Sequence, residues 1–400
     1  MPSLDFLNLN TLSRDTNNKK YIPEIDGIRF LAISTVFLYH LNTSLLRNFA
    51  IIEPLSWKHE STDFLNLGFY IKRLGVGVPI FFCLSGFILA LPFLSKMQKN
   101  EFPNLRDYFS RRLSRLEPPY IISLALLFFS QLLILRSDVW DLSLRFLSGL
   151  IYGHRIIYGE NNPINPVTWS LATEAQFYVV LPVLFFVVYK FRIHNLFLIA
   201  ILIPLSIFAH STMIGSGYEN LSQSIITKFS YFGSGIIFAN FYMNKNFKPF
   251  LSRKKFIWDV IFLISLMIIL IFKNPTFYWL NNTVFCFSSL LLITSVFKGK
   301  MTNYFFTRKI IYTIGGMCYT IYLLHYALLH ILTLISAKYI SPELIEGLGY
   351  NIFYGISIFI YTPIILIISI VFFRYFEKPF MNKKWPNSVK VYLLKDKGKV

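Results

Sequence analysis

Ten stretches of this chain are apolar over about the 20 residues that a helix needs to cross a bilayer. They lie near 26–43, 77–95, 119–136, 168–189, 194–210, 223–243, 256–273, 278–297, 310–335 and 351–375. Backbone placed in lipid has to satisfy its hydrogen bonds internally, which leaves helices as the structure for runs of this length. The expected fold is all-α, a polytopic transmembrane helix bundle with these ten spans. Only 15% of the residues are charged, against about 25% in soluble domains, which excludes an ordinary soluble globule. The runs at 194–210 and 223–243 are the weakest, one being short and the other interrupted by Lys228 and glycines.

The formal charge of +19 is not gathered on one soluble domain, so a nucleic-acid partner is not expected. Lys and Arg instead flank the spans. With the N-terminus inside, the segments 1–29, 96–118, 190–193, 244–255, 298–309 and 374–400 hold 29 of the 39, as the positive-inside bias produces. The expected layout is a cytoplasmic tail at 1–25, a transmembrane domain at 26–375 and a basic cytoplasmic tail at 376–400. The polar start, with Arg14, Lys19 and Lys20, has no cleavable signal pattern, so the first span is expected to direct insertion. Cys83, Cys286 and Cys318 fall in apolar runs, which predicts neither a disulfide framework nor a metal site. Two outer loops are long: 44–76, with Trp57, His59, Glu60 and Asp63, and 137–167, with Trp140, His154, Arg155, Glu160 and NNPINP at 161–166. Each reads either as a contact for a polar acceptor or as a solvated connection.

Ionisable groups inside the spans narrow the function. The first span reads IDGIRFLAISTVFLYH, residues 25–40. Eleven residues from Arg29 to His40 make three turns plus roughly 20°, with a rise of roughly 16 Å. Arg29, Ile33, Val36 and His40 therefore share one stripe. Such a stripe aims a cation and a titratable base into one interior, unless the Arg snorkels to the membrane edge and the His bonds a neighbouring helix. Arg111, Arg112 and Arg115 cluster just before Pro118 and Pro119, which open the next span; Arg111 and Arg115 share a face. They suit either lipid phosphates or a phosphorylated ligand. Glu174, with Ser170 and Tyr178 one turn to either side, is a carboxylate within a span. Its expected partner is Arg29, another helix-edge cation or protonated His40. His325 and His330, five apart, do not make a two-His metal face, and His325 lies deeper in its run. Cys83 and Ser85 in FFCLSGF read as small packing residues rather than nucleophiles.

In chain order, IDGIRFLAISTVFLYH, GVGVPIFFCLSGFILA, RRLSRLEPPY, WSLATEAQFY, YTIYLLH and the EKP at 377–379 resemble the acyltransferase-3 family of bacterial integral-membrane O-acyltransferases, the type that includes O-antigen and exopolysaccharide acetyltransferases. The pieces cover nearly the whole chain. Phe30 is a departure, since a small residue commonly follows the motif Arg.

The resemblance implies transfer of an acyl group, usually acetyl, from cytoplasmic acyl-CoA to a hydroxyl of an exported glycan or lipid-linked sugar. Acyl-CoA would be a co-substrate, with no tightly bound cofactor, and the chain would sit in the bacterial cytoplasmic membrane. His40, Glu174 and Arg29 are the expected catalytic set, with Glu174 orienting His40 or the sugar. Arg29, Arg111, Arg112 and Arg115 are expected to hold the CoA phosphates, and Trp169, Ser170, Tyr178 and His325 are accessory candidates. Direct attack and an acyl-histidine intermediate both remain open. Peptidoglycan-acting members often carry a further C-terminal domain; its absence here favours another glycan or a lipid-linked sugar. The rival reading is a glycan or lipid transporter whose path is lined by the buried charges.

Overall fold

Each of the ten apolar runs holds a helix in the computed structural model, which describes residues 12, 21–49, 67–134, 138–213, 221–245, 247–272 and 277–381. Among the described residues there is no strand, and the protein is an all-α bundle of membrane-spanning helices. The principal helices are α1 (Pro23–Asn48), α2 (Gly77–Met97), α3 (Leu105–Ile134), α4 (Val139–Leu150), α5 (Trp169–Phe191), α6 (Asn195–Met213), α7 (Ile225–Met243), α8 (Ile257–Ile271), α9 (Tyr278–Lys298), α10 (Lys309–Gly316), α11 (Cys318–Ser336) and α12 (Tyr350–Phe372).

Seven segments, those containing α2, α3, α5, α6, α9, α11 and α12, are long and apolar enough to cross a membrane on those two measures. The other three expected spans fall short for separate reasons. Polar groups, among them Asp26, Arg29 and His40, lie along α1. Lys228 and a run of serines and glycines dilute α7, and α8 has only 15 residues.

Three boundaries differ from expectation. Helix α3 starts at Leu105, so the basic segment is helical and Pro118 and Pro119 lie inside the helix rather than at its start. Interior prolines remove backbone donors, and neighbouring helices in a bundle can retie the turn. Just before these prolines Tyr319 of α11 donates to the Leu116 carbonyl at 2.8 Å, tying the two helices together.

The 137–167 connection is not a solvated loop. From Asp138, whose carboxylate caps α4 at Asp141 N–H, the chain returns along α3. Tyr120 donates to the Gly149 carbonyl at 2.8 Å and stacks on Tyr152, while Phe146 packs on Phe128. His154 is buried against Ser148, and Glu160 pairs with Arg145. Trp140 stays exposed. Trp57, His59, Glu60 and Asp63 of the other loop lie outside the described residues, as do Arg14, Lys19 and Lys20 and most of the C-terminal tail.

The expected span at 310–335 is two helices. Gly315 packs so closely on α1 that a β-carbon there would lie 1.7 Å from the Asp26 carbonyl oxygen, and the helix breaks at Met317. Fully buried Glu377, of the EKP motif, then accepts from the Thr320 backbone N–H at 3.1 Å and the Thr320 hydroxyl at 2.5 Å. An anion suits a helix start, where backbone N–H groups lack intrahelical partners. The far end of α11 is tied to α1, where Asn48 donates to the His330 carbonyl and the Thr333 hydroxyl.

Close approach of α2 and α7 sets the middle of the bundle. A β-carbon on Gly235 would lie 1.9 Å from the Cys83 carbonyl oxygen, and one on Gly86 would lie 2.0 Å from that of Phe232. Both obstacles are backbone and cannot swing away. Gly235→Val should therefore cost about 3 kcal/mol or more through overpacking, seen as a lower unfolding temperature and aggregation in detergent. Gly347→Ala, at a site with open space, should leave both measurements unchanged.

Candidate active site

His40 and His325 face each other across α1 and α11, with His40 Nδ1 2.9 Å from His325 Nε2. Ile33 and Val36, on the same stripe as His40, are buried as the spacing predicts. The second nitrogen of His325 decides how the pair is protonated. His325 Nδ1 lies 2.8 Å from the Tyr322 carbonyl oxygen and 3.0 Å from that of Ile321. Carbonyls only accept, so this nitrogen carries the proton. Neutral His325 then presents a lone pair at Nε2, and His40 must donate to it from Nδ1. The lone pair of His40 is thereby left on Nε2, which bonds no described residue. A hydrogen bond to one imidazole nitrogen fixes the role of the other, and with both rings neutral it leaves Nε2 of His40 as the acceptor.

This arrangement differs from the expected one, in which Glu174 orients or pairs with His40. Glu174 instead accepts from the Ser85 hydroxyl at 2.6 Å, across α5 and α2. Its other expected partner, Arg29, is taken by buried Asp26 at 2.5 Å, one turn earlier on α1. The Arg29 side chain is only 16% exposed, so it does not snorkel.

Arg29 and Glu174 nevertheless meet in one cavity of about 100 Å³, together with Arg112, Arg115, Ser85, Ser170, Tyr178 and Tyr322. Three guanidinium groups and one carboxylate in such a lining favour an anion. A second space of about 260 Å³ adjoins it, sharing Arg112, Glu174, Tyr178 and Tyr319. Arg111 faces away, with its Nε donating to the Asp107 carbonyl on the exposed side of α3. The face presented inward is Arg112 with Arg115, rather than Arg111 with Arg115.

His40 is not in the wall of this cavity. Tyr322 bridges the two places: it lines the cavity, and its ring centroid is 5.6 Å from that of His325. Its hydroxyl donates to the Val167 carbonyl at 2.9 Å and receives Ser170 at 2.6 Å. Trp169 stands outside the lining and packs edge-on against Phe82. His330 is engaged by Asn48.

Four residues of the assembly escape the sequence reading. Asp26 is signalled by the three-residue spacing in DGIR, which puts it one turn from Arg29. Ser85 resembles its small packing neighbours, and only the tertiary contact with Glu174 distinguishes it. Tyr322 and Glu377 act through partners far away in the chain, for which no local spacing gives notice.

The acyltransferase domain family matches residues 22–374. Among relatives, the chain is 25% identical over 340 residues to a protein of Listeria monocytogenes named peptidoglycan O-acetyltransferase OatA, covering 79% of this chain and 50% of the relative. It is 24% identical over 395 residues to O-acetyltransferase OatA of Staphylococcus aureus strain NCTC 8325, covering 91% of this chain and 58% of the relative. The chain thus spans little more than half the length of these relatives. No solved structure matches.

The protonation pattern is open to direct measurement. In protein labelled with 15N-histidine at neutral pH, His40 and His325 should both appear as neutral Nδ1–H tautomers, and His325→Phe should release the preference at His40. An Nε2–H tautomer at His40 would put its lone pair against His325 and leave no base on the far side of the ring.

Proposed function

The chain belongs to the acyltransferase-3 family, and on that premise we propose that it transfers an acetyl group from cytoplasmic acetyl-CoA to a hydroxyl of a cell-envelope glycan, with His40 as general base. The observation that carries this reading is the lone pair held on His40 Nε2 by the His325 relay, next to an arginine-lined cavity.

In the proposed reaction, His40 Nε2 takes the acceptor's hydroxyl proton as the oxygen attacks the thioester carbonyl. The tetrahedral intermediate collapses, the C–S bond breaks, and the imidazolium returns the proton to the CoA thiolate. His325 acts as a positioning residue, in the place that a carboxylate occupies in a hydrolase triad. It is neutral, so it orients His40 without adding a charge to the bundle. Arg112, Arg115 and Arg29 receive the anionic part of the donor, since guanidinium pairs well with phosphate oxygens. The cavity beside them is small, which suits the narrow pantetheine end of CoA better than its nucleotide. Arg29 and His40 are separated by roughly 16 Å along α1, a span that an extended arm of this kind can bridge. Glu174, with Ser85, positions the donor through its carboxylate.

The name of the Listeria relative places peptidoglycan among the acceptors to test, beside lipid-linked sugars. The preference against peptidoglycan drawn from chain length has no force, because the relatives are matched over only part of their own length. A site in the bacterial cytoplasmic membrane follows from using a cytoplasmic donor and an envelope acceptor.

Vesicles holding the protein, labelled acetyl-CoA and candidate glycans test the proposal. His40→Ala should reduce transfer by about 10²–10⁴-fold, the usual contribution of a general base. Arg112→Ala or Arg115→Ala should each raise KM for acetyl-CoA about tenfold, as expected for losing a charge-assisted hydrogen bond, while Arg111→Ala should not change it. Unchanged transfer by a folded His40→Ala protein would refute the assignment. Glycan movement without CoA release would support the transporter instead.

A further inference from the structure

A further pocket, of about 360 Å³, is lined by Tyr39, the residue before His40, and shares no lining residue with the arginine cavity or the space adjoining it. Its wall includes Tyr39, Lys72, Arg73, Tyr231, Asn281 and Asn282. We infer that this pocket binds the acceptor and that it selects a sugar carrying an anionic group. The inference rests on the reading of His40 as the base that deprotonates that acceptor.

Position is the first argument. Tyr39 precedes His40 on α1, and their rings are in edge contact with centroids 5.3 Å apart. Consecutive helical residues point about 100° apart. One therefore opens on this pocket while the other meets His325. The arginine cavity meets the histidine pair on its His325 side, through Tyr322, whereas this pocket meets it on the His40 side, through Tyr39.

Chemistry is the second. The volume falls in the range of small-molecule sites, about 300–1,000 Å³. Two amides and two phenols offer donors and acceptors of the kind that sugar hydroxyls use. Two cations stand in the wall, and no carboxylate lines it among the described residues. The Arg73 guanidinium carbon lies over the Phe69 ring, 3.6 Å from its centroid, with one N–H on the Phe69 carbonyl. Its Nε has no hydrogen-bond partner among the described residues.

Behind the wall lies a third cation. Tyr231 donates to Asn282 at 2.6 Å, Asn282 contacts His210 Nδ1 at 2.7 Å, and Lys228 Nζ is 3.2 Å from His210 Nε2. Lys228 is 8% exposed, and this chain of contacts contains no carboxylate. A buried cation is costly in a membrane helix and marks a functional path by default. An anion in the adjoining pocket would offset that cost.

The test uses the full chain in lipid nanodiscs without donor and measures the affinity of three probes: a uronic-acid disaccharide, a sugar phosphate and a neutral disaccharide. At least one anionic probe should bind about tenfold tighter than the neutral one, the scale of a charge-assisted contact. The probe that does so identifies carboxylate or phosphate as the preferred group. Lys72→Gln, and Lys72→Gln with Arg73→Gln, should erase the advantage, whereas Lys72→Arg should keep it. Because Arg73 also ties the Phe69 carbonyl, the single Lys72→Gln protein guards against loss of fold, with its unfolding temperature measured alongside. Equal binding of all three probes by the wild type, or an anionic preference that survives both glutamine variants, would overturn the inference. A wild type that prefers the acidic probe and yet acetylates no glycan would support the pocket while refuting the acetyltransferase reading.

Discussion

A neutral imidazole has one N–H to place, and at His325 two backbone carbonyls determine where it goes. Everything at the centre of the bundle follows from that placement. With Nδ1 protonated, Nε2 of the neutral His325 can only accept, His40 can only donate from Nδ1, and the lone pair of His40 is left on the far side of its ring. The carbonyls lie four and three residues before His325, in the first turns of α11. Its start is determined by the close packing of Gly315 on α1 and by the carboxylate of Glu377. Fold and chemistry are joined at that turn.

The other buried charges obey the same economy of partners. An isolated ion in a low-dielectric interior costs several kcal/mol, and removal of one partner leaves that cost uncompensated. Asp26 meets Arg29, Glu174 meets a hydroxyl, Glu377 meets a helix start, and Lys228 meets an imidazole. Arg112 and Arg115 line a cavity that they share with Glu174.

Much of the architecture was legible because lipid imposes a simple code of length and apolarity. The helices sit where the apolar runs are, and Arg29, Ile33, Val36 and His40 line up as a 3.6-residue period requires. The code failed where polarity and membrane depth part company. Helical spacing groups Arg111 with Arg115, but the cavity is lined by Arg112 with Arg115, and α4 looks like a loop because its polar face was counted together with its apolar one. Pairing was less legible still. Nothing local to Glu174 announces Ser85, and nothing in YTIYLLH indicates that His325 would be the hydrogen-bond partner of His40. Those contacts join segments far apart in sequence, and only the packing of whole helices decides them.

Helix α11 is fastened at both ends, to Glu377 below His325 and to Asn48 above it. A rod held at two points along its length cannot slide past its neighbour by a turn without breaking both attachments. The two histidines are thereby kept opposite each other.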